Sequence, residues 1–142
     1  MNIINSNQYK DVIETHRLKL GYFYFFKDLV IVEISEGSHL DLKSSQDFFE
    51  IANIFYKEKF FGFISNRINK FSVSPLEFAN YSKELNNITS FCAITYNNSL
   101  DEMNVQIEKR FSQKPFQVVT NINDAFLWTM KIVANKNNTI SA

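Results

Sequence analysis

The sequence contains few of the residues on which many catalytic and cofactor sites depend. Its 142 residues include one cysteine, two histidines and three glycines. Because Cys92 is the only cysteine, the chain can form neither an intrachain disulfide nor a cysteine-based zinc site. The glycines, at positions 21, 37 and 62, cannot form the Gly-rich turns that bind nucleotide phosphates, and His16 and His39 lack a metal-binding spacing. We therefore predict no catalytic residue, no metal and no cofactor.

The chain also lacks an excess of charge of one sign and a long apolar run. Fifteen Lys and Arg residues balance fifteen Asp and Glu residues, so the formal net charge is zero. A general nucleic-acid binder or a polybasic membrane anchor needs excess positive charge. The longest apolar candidate, Gly21–Phe26, is far shorter than the ~20 residues that span a bilayer. Since Met1–Lys10 does not resemble a signal peptide, we expect a cytoplasmic protein without nucleic-acid binding or membrane insertion.

What the sequence does contain is typical of a folded globular protein. Hydrophobic residues make up 45% of the chain and charged residues 21%, which are ordinary proportions. A chain of this length usually forms one domain around one core. We expect a single domain over residues 1–142, with its core at about 16–133 and a polar tail at each end.

Segments with strand and helix periodicity alternate along the chain. The first two, Leu18–Phe26 and Leu29–Ile34, predict an antiparallel hairpin that turns at Lys27 and Asp28. Further strands are predicted at 60–66, 91–96 and 116–119, and helices at 41–57, from Ser74, from Ser99 and from Asn121. This order predicts an α/β fold with four helices and a mixed sheet of about five strands, mostly parallel with one antiparallel strand.

Capping signals mark the starts of three helices. Ser74 precedes a proline and stands three residues before Glu77, which predicts a capping box with reciprocal hydrogen bonds. Ser99 and Glu102 repeat this spacing, and Asn121 can cap the last helix. Replacement of Ser74 by Ala is therefore expected to cost about 0.5–2 kcal/mol.

Apolar spacing predicts which side of each helix is buried. The buried stripe of the third helix is predicted to consist of Leu100, Met103, Ile107 and Phe111. That of the last helix is predicted to consist of Ala125, Phe126, Trp128, Met130, Ile132 and Val133, with a frayed polar end from Asn135. Cys92 lies in an apolar strand, where a thiol is normally inert packing.

The loop between the third strand and the second helix is the candidate binding site. Ligands in open α/β sheets bind beyond the carboxyl ends of strands, and helix N-termini offer N–H groups to anions. Arg67 and Lys70 add positive charge, which predicts an acidic partner or a phosphate-like group. The alternative is a solvated connection that serves only solubility. The candidate residues for partner or anion binding are Asn66, Arg67, Asn69, Lys70 and Ser72.

Three segments, together with the element order over about His16 to Val133, resemble the STAS domain and more closely its SpoIIAA-like group. The segments are Asn-Arg-Ile-Asn-x-Phe-Ser-Val-x-Pro at Asn66–Pro75, Glu-Lys-x-Phe-x-x-Lys-Pro-Phe at Glu108–Phe116, and Asp-Ala-x-x-Trp at Asp124–Trp128. The resemblance implies a non-enzymatic bacterial module that acts through protein contacts, including contacts within a homodimer, or through sensing of a small ligand.

The resemblance also directs attention to serine hydroxyls near the loop. Antagonist proteins of that family carry a phosphorylatable serine after the third strand, where this chain has Ser65, Asn66 and Arg67. The usual Asp-Ser pair is absent, although Ser72 and Ser74 are nearby. We expect a cytoplasmic binding or regulatory module. The alternative is a carrier or sensor of a small apolar, lipid-like ligand, because the chain has fifteen phenylalanines and the family shares its shape with lipid-carrier domains.

Overall fold

A six-stranded mixed sheet forms the centre of the computed structural model, which describes residues 1–96 and 99–141. Its strands follow the spatial order β1-β2-β3-β5-β7-β8. They are β1 (Glu14–Leu18), β2 (Gly21–Phe25), β3 (Leu29–Ile34), β5 (Phe61–Asn66), β7 (Ile88–Ile94) and β8 (Phe116–Val119). Two short strands, β4 (His39–Leu40) and β6 (Ser72–Val73), pair with each other in a separate parallel ladder.

Helices cover both faces of the sheet and produce three layers. They are α1 (Gln46–Tyr56), α2 (Pro75–Ala79), α3 (Tyr81–Glu84), α4 (Ser99–Phe111) and α5 (Ile122–Ser141). Buried residues of α1, α2 and α3 share one core with the sheet, and α4 packs beside α2. Helix α5 covers the other face together with two short 3-10 helices, Ile3–Asn5 and Asn7–Asp11.

The strand directions confirm the predicted mixed sheet. Strands β3, β5, β7 and β8 are parallel, and β2 is antiparallel to both β1 and β3. Only β2 therefore runs against the other strands of this sheet. The turn at Lys27 and Asp28 is also confirmed, since the Phe26 N–H donates to the Leu29 carbonyl at 2.8 Å. Strand β1 was not predicted, because its mostly exposed side chains lack an apolar alternation.

Aromatic rings fill the core beneath α1, α2 and α3. The Phe63 ring lies 5.8 Å from Phe48, 5.8 Å from Tyr81 and 5.6 Å from Phe91, measured between ring centroids. Tyr56 stacks on Phe61 at 4.1 Å. Burial of each large apolar side chain contributes about 1.5–3 kcal/mol. Much of the phenylalanine content is therefore explained by this core.

Helix α5 approaches the opposite face of the sheet closely because β5 contains a glycine. A Cβ atom on Gly62 would lie 2.1 Å from Thr129 Cγ2 and 3.2 Å from Ser90 Oγ. Ile3 is fully buried in the same layer. The N-terminal segment therefore packs on the sheet, where the sequence predicts a polar tail outside the core.

The predicted capping box at Ser74 is wrong, although α2 begins at Pro75 as expected. The Ser74 side chain makes no capping hydrogen bond. Its backbone N–H donates to the Leu40 carbonyl at 3.0 Å, as part of the β4–β6 ladder. Glu77 Oε1 instead accepts from the Leu42 N–H at 3.3 Å. The Ser74 N–H and the Glu77 carboxylate both form tertiary hydrogen bonds instead of the capping box. The stability cost expected for replacing Ser74 therefore has no physical basis.

Other helix ends differ from the sequence-based bounds for local reasons. Helix α1 begins at Gln46 rather than near Asp41, because the Asp41 Oδ1 accepts from the Ser44 N–H at 2.8 Å and holds a turn. The predicted second helix is interrupted at Asn80, between α2 and α3. The Ser99 side chain, on which the second capping box depends, is outside the described residues.

Helix α5 has the predicted start and a longer end. Asn121 Oδ1 accepts from the Asp124 N–H at 2.8 Å, which confirms the cap. The helix continues to Ser141, where fraying is predicted from Asn135. Within its apolar face, Met130 is exposed and Thr129 is buried, contrary to the sequence pattern. Among residues 1–96 and 99–141, none of the helices combines the length and the hydropathy of a membrane span.

The contact between Gly62 and Thr129 makes a testable prediction. Gly62→Ala should destabilise the protein by about 1–3 kcal/mol, because the added methyl group overlaps the Thr129 side chain. Urea unfolding would measure the loss. Thr129→Ala in the same protein should recover much of it, since the overlapping methyl is then absent. An equal cost of Gly62→Ala with and without Thr129 would contradict the proposed overlap.

Candidate binding site

The loop Asn66–Ser72 lies at the carboxyl end of β5, as predicted, but most of its polar groups hold the fold together. Asn69 Nδ2 donates to the Ile34 carbonyl at 3.0 Å. The Lys70 N–H donates to Glu36 Oε2 at 2.9 Å, and the Lys70 carbonyl accepts from the Gly37 N–H at 2.8 Å. The loop is thereby tied to the segment that follows β3.

Asn66 joins three parts of the chain at this edge of the sheet. Its Nδ2 donates to Glu33 Oε2 at 2.7 Å and to the Met1 carbonyl at 2.9 Å. Its Oδ1 accepts from the Tyr96 hydroxyl at 2.6 Å, and Glu33 Oε2 also accepts from the Ile3 N–H at 2.8 Å. Asn66 is 1% exposed. Its role here is to dock the N-terminal segment against the ends of β3 and β5.

Arg67 is a buried structural residue, and the prediction that it supplies exposed positive charge is wrong. Its guanidinium forms a bidentate ion pair with Glu108 of α4, with Nη1 at 2.8 Å from Oε2. The two side chains are 5% and 2% exposed. The guanidinium also lies over the Phe71 ring, 5.3 Å from its centroid. The sequence does not reveal this pair, because its members are 41 residues apart.

Ser72 contacts a histidine in an arrangement that the sequence analysis missed. Ser72 Oγ lies 2.7 Å from His39 Nδ1, and His39 Nε2 lies 3.8 Å from Asp41 Oδ2. The second distance is too long for the hydrogen bond that orients a catalytic histidine. The His39 side chain is 52% exposed. We interpret the contact as a link between β4 and β6, not as a nucleophile and base.

Beside the loop, an open groove of about 530 Å³ follows the uncovered part of the sheet. We call it the tyrosine groove. It is lined by Asn2, Ile4, Tyr9, Thr15, Tyr22, Tyr24, Glu33, Ser35, Glu36, Ile68 and Asn69. The lining includes three tyrosines and two acidic side chains, but no Lys, Arg or His among the described residues. The groove therefore has a charge opposite to the one predicted for this edge.

Tyr22, Tyr24 and Glu33 meet in the groove because of the register of the strands. Tyr22 is the cross-strand partner of Glu33, and Thr15 is that of Tyr24. The rings of Tyr22 and Tyr24 are stacked at 6.2 Å, and Tyr9 meets Tyr24 edge-on at 6.2 Å. These side chains alternate with core residues along the strands. The pleat therefore presents them on one face.

Glu33 and Tyr24 are mostly buried, but each has one oxygen that is open to solvent and has no partner among the described residues. Each residue is 4% exposed. Both hydrogen bonds that Glu33 accepts end on Oε2, and Oε1 accepts none from the residues that the structure describes. The Tyr24 hydroxyl likewise has no hydrogen-bond partner within residues 1–96 and 99–141. Burial, with the nearby Glu33 charge, raises the pKa of Tyr24 to about 12, so its hydroxyl stays neutral at physiological pH.

The outward side of α4 contradicts the predicted burial of its apolar stripe. Met103 is 64% exposed, and Ile107 and Phe111 are each 44% exposed. Among the α4 side chains that the structure describes, those of Val105 and Glu108 are buried. The ion pair with Arg67 explains this rotation, because it draws the Glu108 side of the helix onto the fold. The fourth stripe residue, Leu100, has a side chain outside the described residues.

Cys92 is a buried thiol of low reactivity. Cys92 is buried, and burial, followed by the effect of Asp124, raises its pKa to about 12. Within the described parts of the chain, no three His, Cys, Asp or Glu residues are grouped to hold a metal ion. The thiol is therefore unsuited to nucleophilic attack at neutral pH.

Comparison with protein-family models finds no match for this chain, and no curated protein matches its sequence. The resemblance to STAS domains therefore stays a prediction, and the shape and chemistry of the surface are the basis for proposing a function.

The ion pair of Arg67 and Glu108 predicts that replacing Arg67 costs much more stability than replacing the neighbouring Lys70. Arg67→Ala should lower the free energy of unfolding by about 3–5 kcal/mol, because it leaves a buried carboxylate unpaired. Lys70→Ala is the matched control, since the Lys70 side chain is exposed, and it should change stability by less than about 0.5 kcal/mol. Chemical denaturation measures both. Similar small effects would show that the ion pair does not anchor α4.

The buried thiol gives a second prediction for this region. Cys92 should not react with an aromatic disulfide reagent at pH 8, because the thiolate is scarce when the thiol pKa is about 12 and the side chain is enclosed. The reaction should become complete when the protein is unfolded in guanidinium. Rapid labelling of the folded protein would show that the strand around Cys92 opens.

Proposed function

We propose that the protein is a non-enzymatic cytoplasmic binding module whose tyrosine groove receives a positively charged side chain of a partner protein. The observation that carries this proposal is the acidic, aromatic lining of the groove, in which Glu33 Oε1 and the Tyr24 hydroxyl form no hydrogen bond with the described residues. Neither oxygen is among the buried polar atoms that lack a partner in the described chain, so both are open to the groove and available to a ligand. An ammonium or guanidinium group supplies the missing donors and the opposite charge.

The aromatic lining suits the same ligand. Tyrosine ring faces attract cations through their quadrupole, and aromatic residues surround bound ammonium groups in many recognition sites. The protein already contains one such contact, since the Arg17 guanidinium lies 5.6 Å from the centroid of the Tyr22 ring. Glu36 adds a second, more exposed carboxylate to the lining. Charge, ring faces and acceptors therefore favour the same class of ligand.

The groove lies where the sequence predicts binding, although with different chemistry. Ile68 and Asn69 of the predicted loop contribute to its wall. Arginine side chains of partner proteins are a common source of such cations, because arginine is enriched at protein interfaces. The lining groups bind a cation through hydrogen bonds and ring contacts without forming a covalent bond to it. This supports contact with a partner protein rather than catalysis.

The alternative of an apolar-ligand carrier has less support. The aromatic core is filled by its own rings, which contact one another from β2 through β7. Beneath α4, the cavity beside Phe78, Phe91 and Phe116 measures only about 10 Å³, which is the space of about one water molecule. A lipid-like ligand would need the core to open.

Binding of a fluorescent peptide tests the proposal. The probe is a short, flexible peptide of alternating arginine and glycine, and its fluorescence anisotropy is followed as protein is added. Glu33→Gln should weaken binding about tenfold, because it removes the negative charge of the acceptor that faces the groove. Tyr22→Leu should weaken it several-fold, about 0.5–1 kcal/mol, by removing a ring face. Arg17→Gln should strengthen binding, because a competing internal cation is lost.

The controls distinguish binding of the peptide in the groove from a general electrostatic attraction between peptide and protein. Glu58→Gln removes an exposed carboxylate at the amino end of β5, the opposite edge of the sheet, and should leave the affinity unchanged. A glutamate-for-arginine version of the peptide should not bind. Circular dichroism establishes that each variant is folded. Equal affinities of the Glu33→Gln and Glu58→Gln variants, or tighter binding of the acidic peptide, would refute the proposal.

A further inference from the structure

Strand β8 forms one outer edge of the six-stranded sheet, and β1, beside the tyrosine groove, forms the other. The side chains of β1 include Glu14 and Arg17, and charged side chains are a common means of protecting an exposed edge. Strand β8 has the sequence Phe-Gln-Val-Val and carries no charged side chain. It is therefore the edge without charged residues to prevent pairing with a further strand.

The ladder between β7 and β8 determines which backbone groups of β8 remain free. The Phe91 N–H donates to the Pro115 carbonyl at 2.9 Å, and Phe91 lies opposite Phe116 in a parallel register. The backbone groups of Pro115 and Gln117 therefore face β7, since they lie on either side of Phe91. Those of Phe116 and Val118 point away from the sheet and bind no group in residues 1–96 and 99–141.

The helices leave space beside this edge. Helix α5 packs mainly over β5 and β7. On the opposite face, an open recess of about 450 Å³ lies between α4 and β8, lined in part by Met103, Gln106 and Val118. A further strand can therefore approach β8 without displacing a helix.

We propose that the protein forms a homodimer in which β8 pairs with β8 of a second copy, antiparallel, around a twofold axis at Gln117. Phe116 of each copy is then opposite Val118 of the other. Because the backbone groups of both residues point outward, each such pair exchanges two hydrogen bonds. The same groups of both copies take part, as a twofold interface requires, and one sheet continues through the two copies.

The side chains of β8 fit a second copy of the same strand. Gln117 lies beside its own equivalent at the axis, and an amide complements itself because it both donates and accepts hydrogen bonds. Phe116, which packs against the aromatic core, lies next to Val118 of the second copy, and aromatic and β-branched residues stabilise neighbouring strands as such pairs. Pro115 is tolerated, because its nitrogen faces β7 and not the second copy.

The length of the strand limits the strength of the dimer. Strand β8 has four residues and is therefore about 13 Å long. A contact of this length buries less than the roughly 800 Å² per partner that stable complexes usually bury. The dimer is therefore weak and forms in proportion to protein concentration.

Sedimentation equilibrium over a range of protein concentrations tests the dimer. Val118→Pro removes an N–H that points away from β7, so it should raise the dissociation constant about tenfold or more without breaking the internal ladder. Gln117→Glu should have a similar effect, because it places two carboxylates at the axis. Gln113→Glu is the matched control: the two copies of this exposed residue are about 27 Å apart, so association should not change. Circular dichroism establishes that each variant is folded.

A mixture of two variants distinguishes pairing with a second copy from a general loss of solubility or folding. Gln117→Lys, like Gln117→Glu, should weaken self-association, because each variant brings two like charges together at the axis. When the two variants are mixed, they should form a mixed dimer at close to the original affinity, since the charges at the axis are then opposite.

Covalent trapping tests the register. Cys92 is replaced by Ala, because it lies beside Gln117 in the ladder. Gln117→Cys should then form an intermolecular disulfide under mild oxidation, since opposite residues of this kind have Cα atoms about 4.5 Å apart. Thr120→Cys is the control: Thr120 is exposed, but its two copies are about 20 Å apart and should stay unlinked.

Three results would each overturn the proposal. They are a monomer at every concentration, a dimer that Val118→Pro and Gln117→Glu leave intact, and equal cross-linking of the Gln117→Cys and Thr120→Cys variants. Because the groove and β8 lie at opposite edges of the sheet, none of these results affects the binding of the arginine peptide.

Discussion

The ion pair between Arg67 and Glu108 is the interaction on which the surface of this protein depends. It joins the end of β5 to α4 and buries both charges. The bidentate contact compensates part of the lost hydration, while Arg67 Nε is buried without a partner, so removing either member of the pair is costly. Because Glu108 faces inward, Met103 and Ile107 of the same helix face solvent. One contact thus decides both the charge of the loop and the outer surface of α4.

The tyrosine groove is acidic because its lining contains two glutamates and because the neighbouring arginines contact other side chains. Arg67 is paired with Glu108, and Arg17 lies over the Tyr22 ring. Glu33 is held by Asn66 and the N-terminal segment through a single oxygen, which leaves its other oxygen for the groove. A neutral net charge therefore does not describe the local potential. The groove and α4 lie on opposite faces of the sheet.

Most regular elements could be predicted because their signals are local. Strand β8 has the predicted bounds, Phe116–Val119, and the cap at Asn121 is present. These features depend on neighbouring residues and on side chains a few positions away. The capping box at Ser74 was equally clear in the sequence but was lost, because β4 binds the Ser74 amide. A local preference was overridden by a contact more than thirty residues distant.

The sequence by itself determined the α/β class, the single strand that opposes the others, and the aromatic composition of the core, since hydrophobic periodicity and turn residues act over short distances. Only the tertiary structure decided which charges are available and which apolar row is exposed. The sequence predicts that Arg67 is a loop cation, whereas the structure places Glu108 beside it. The sequence predicts that Met103, Ile107 and Phe111 of α4 are buried, whereas the ion pair turns this side of the helix to solvent. Both depend on pairing between distant segments, which no local pattern specifies.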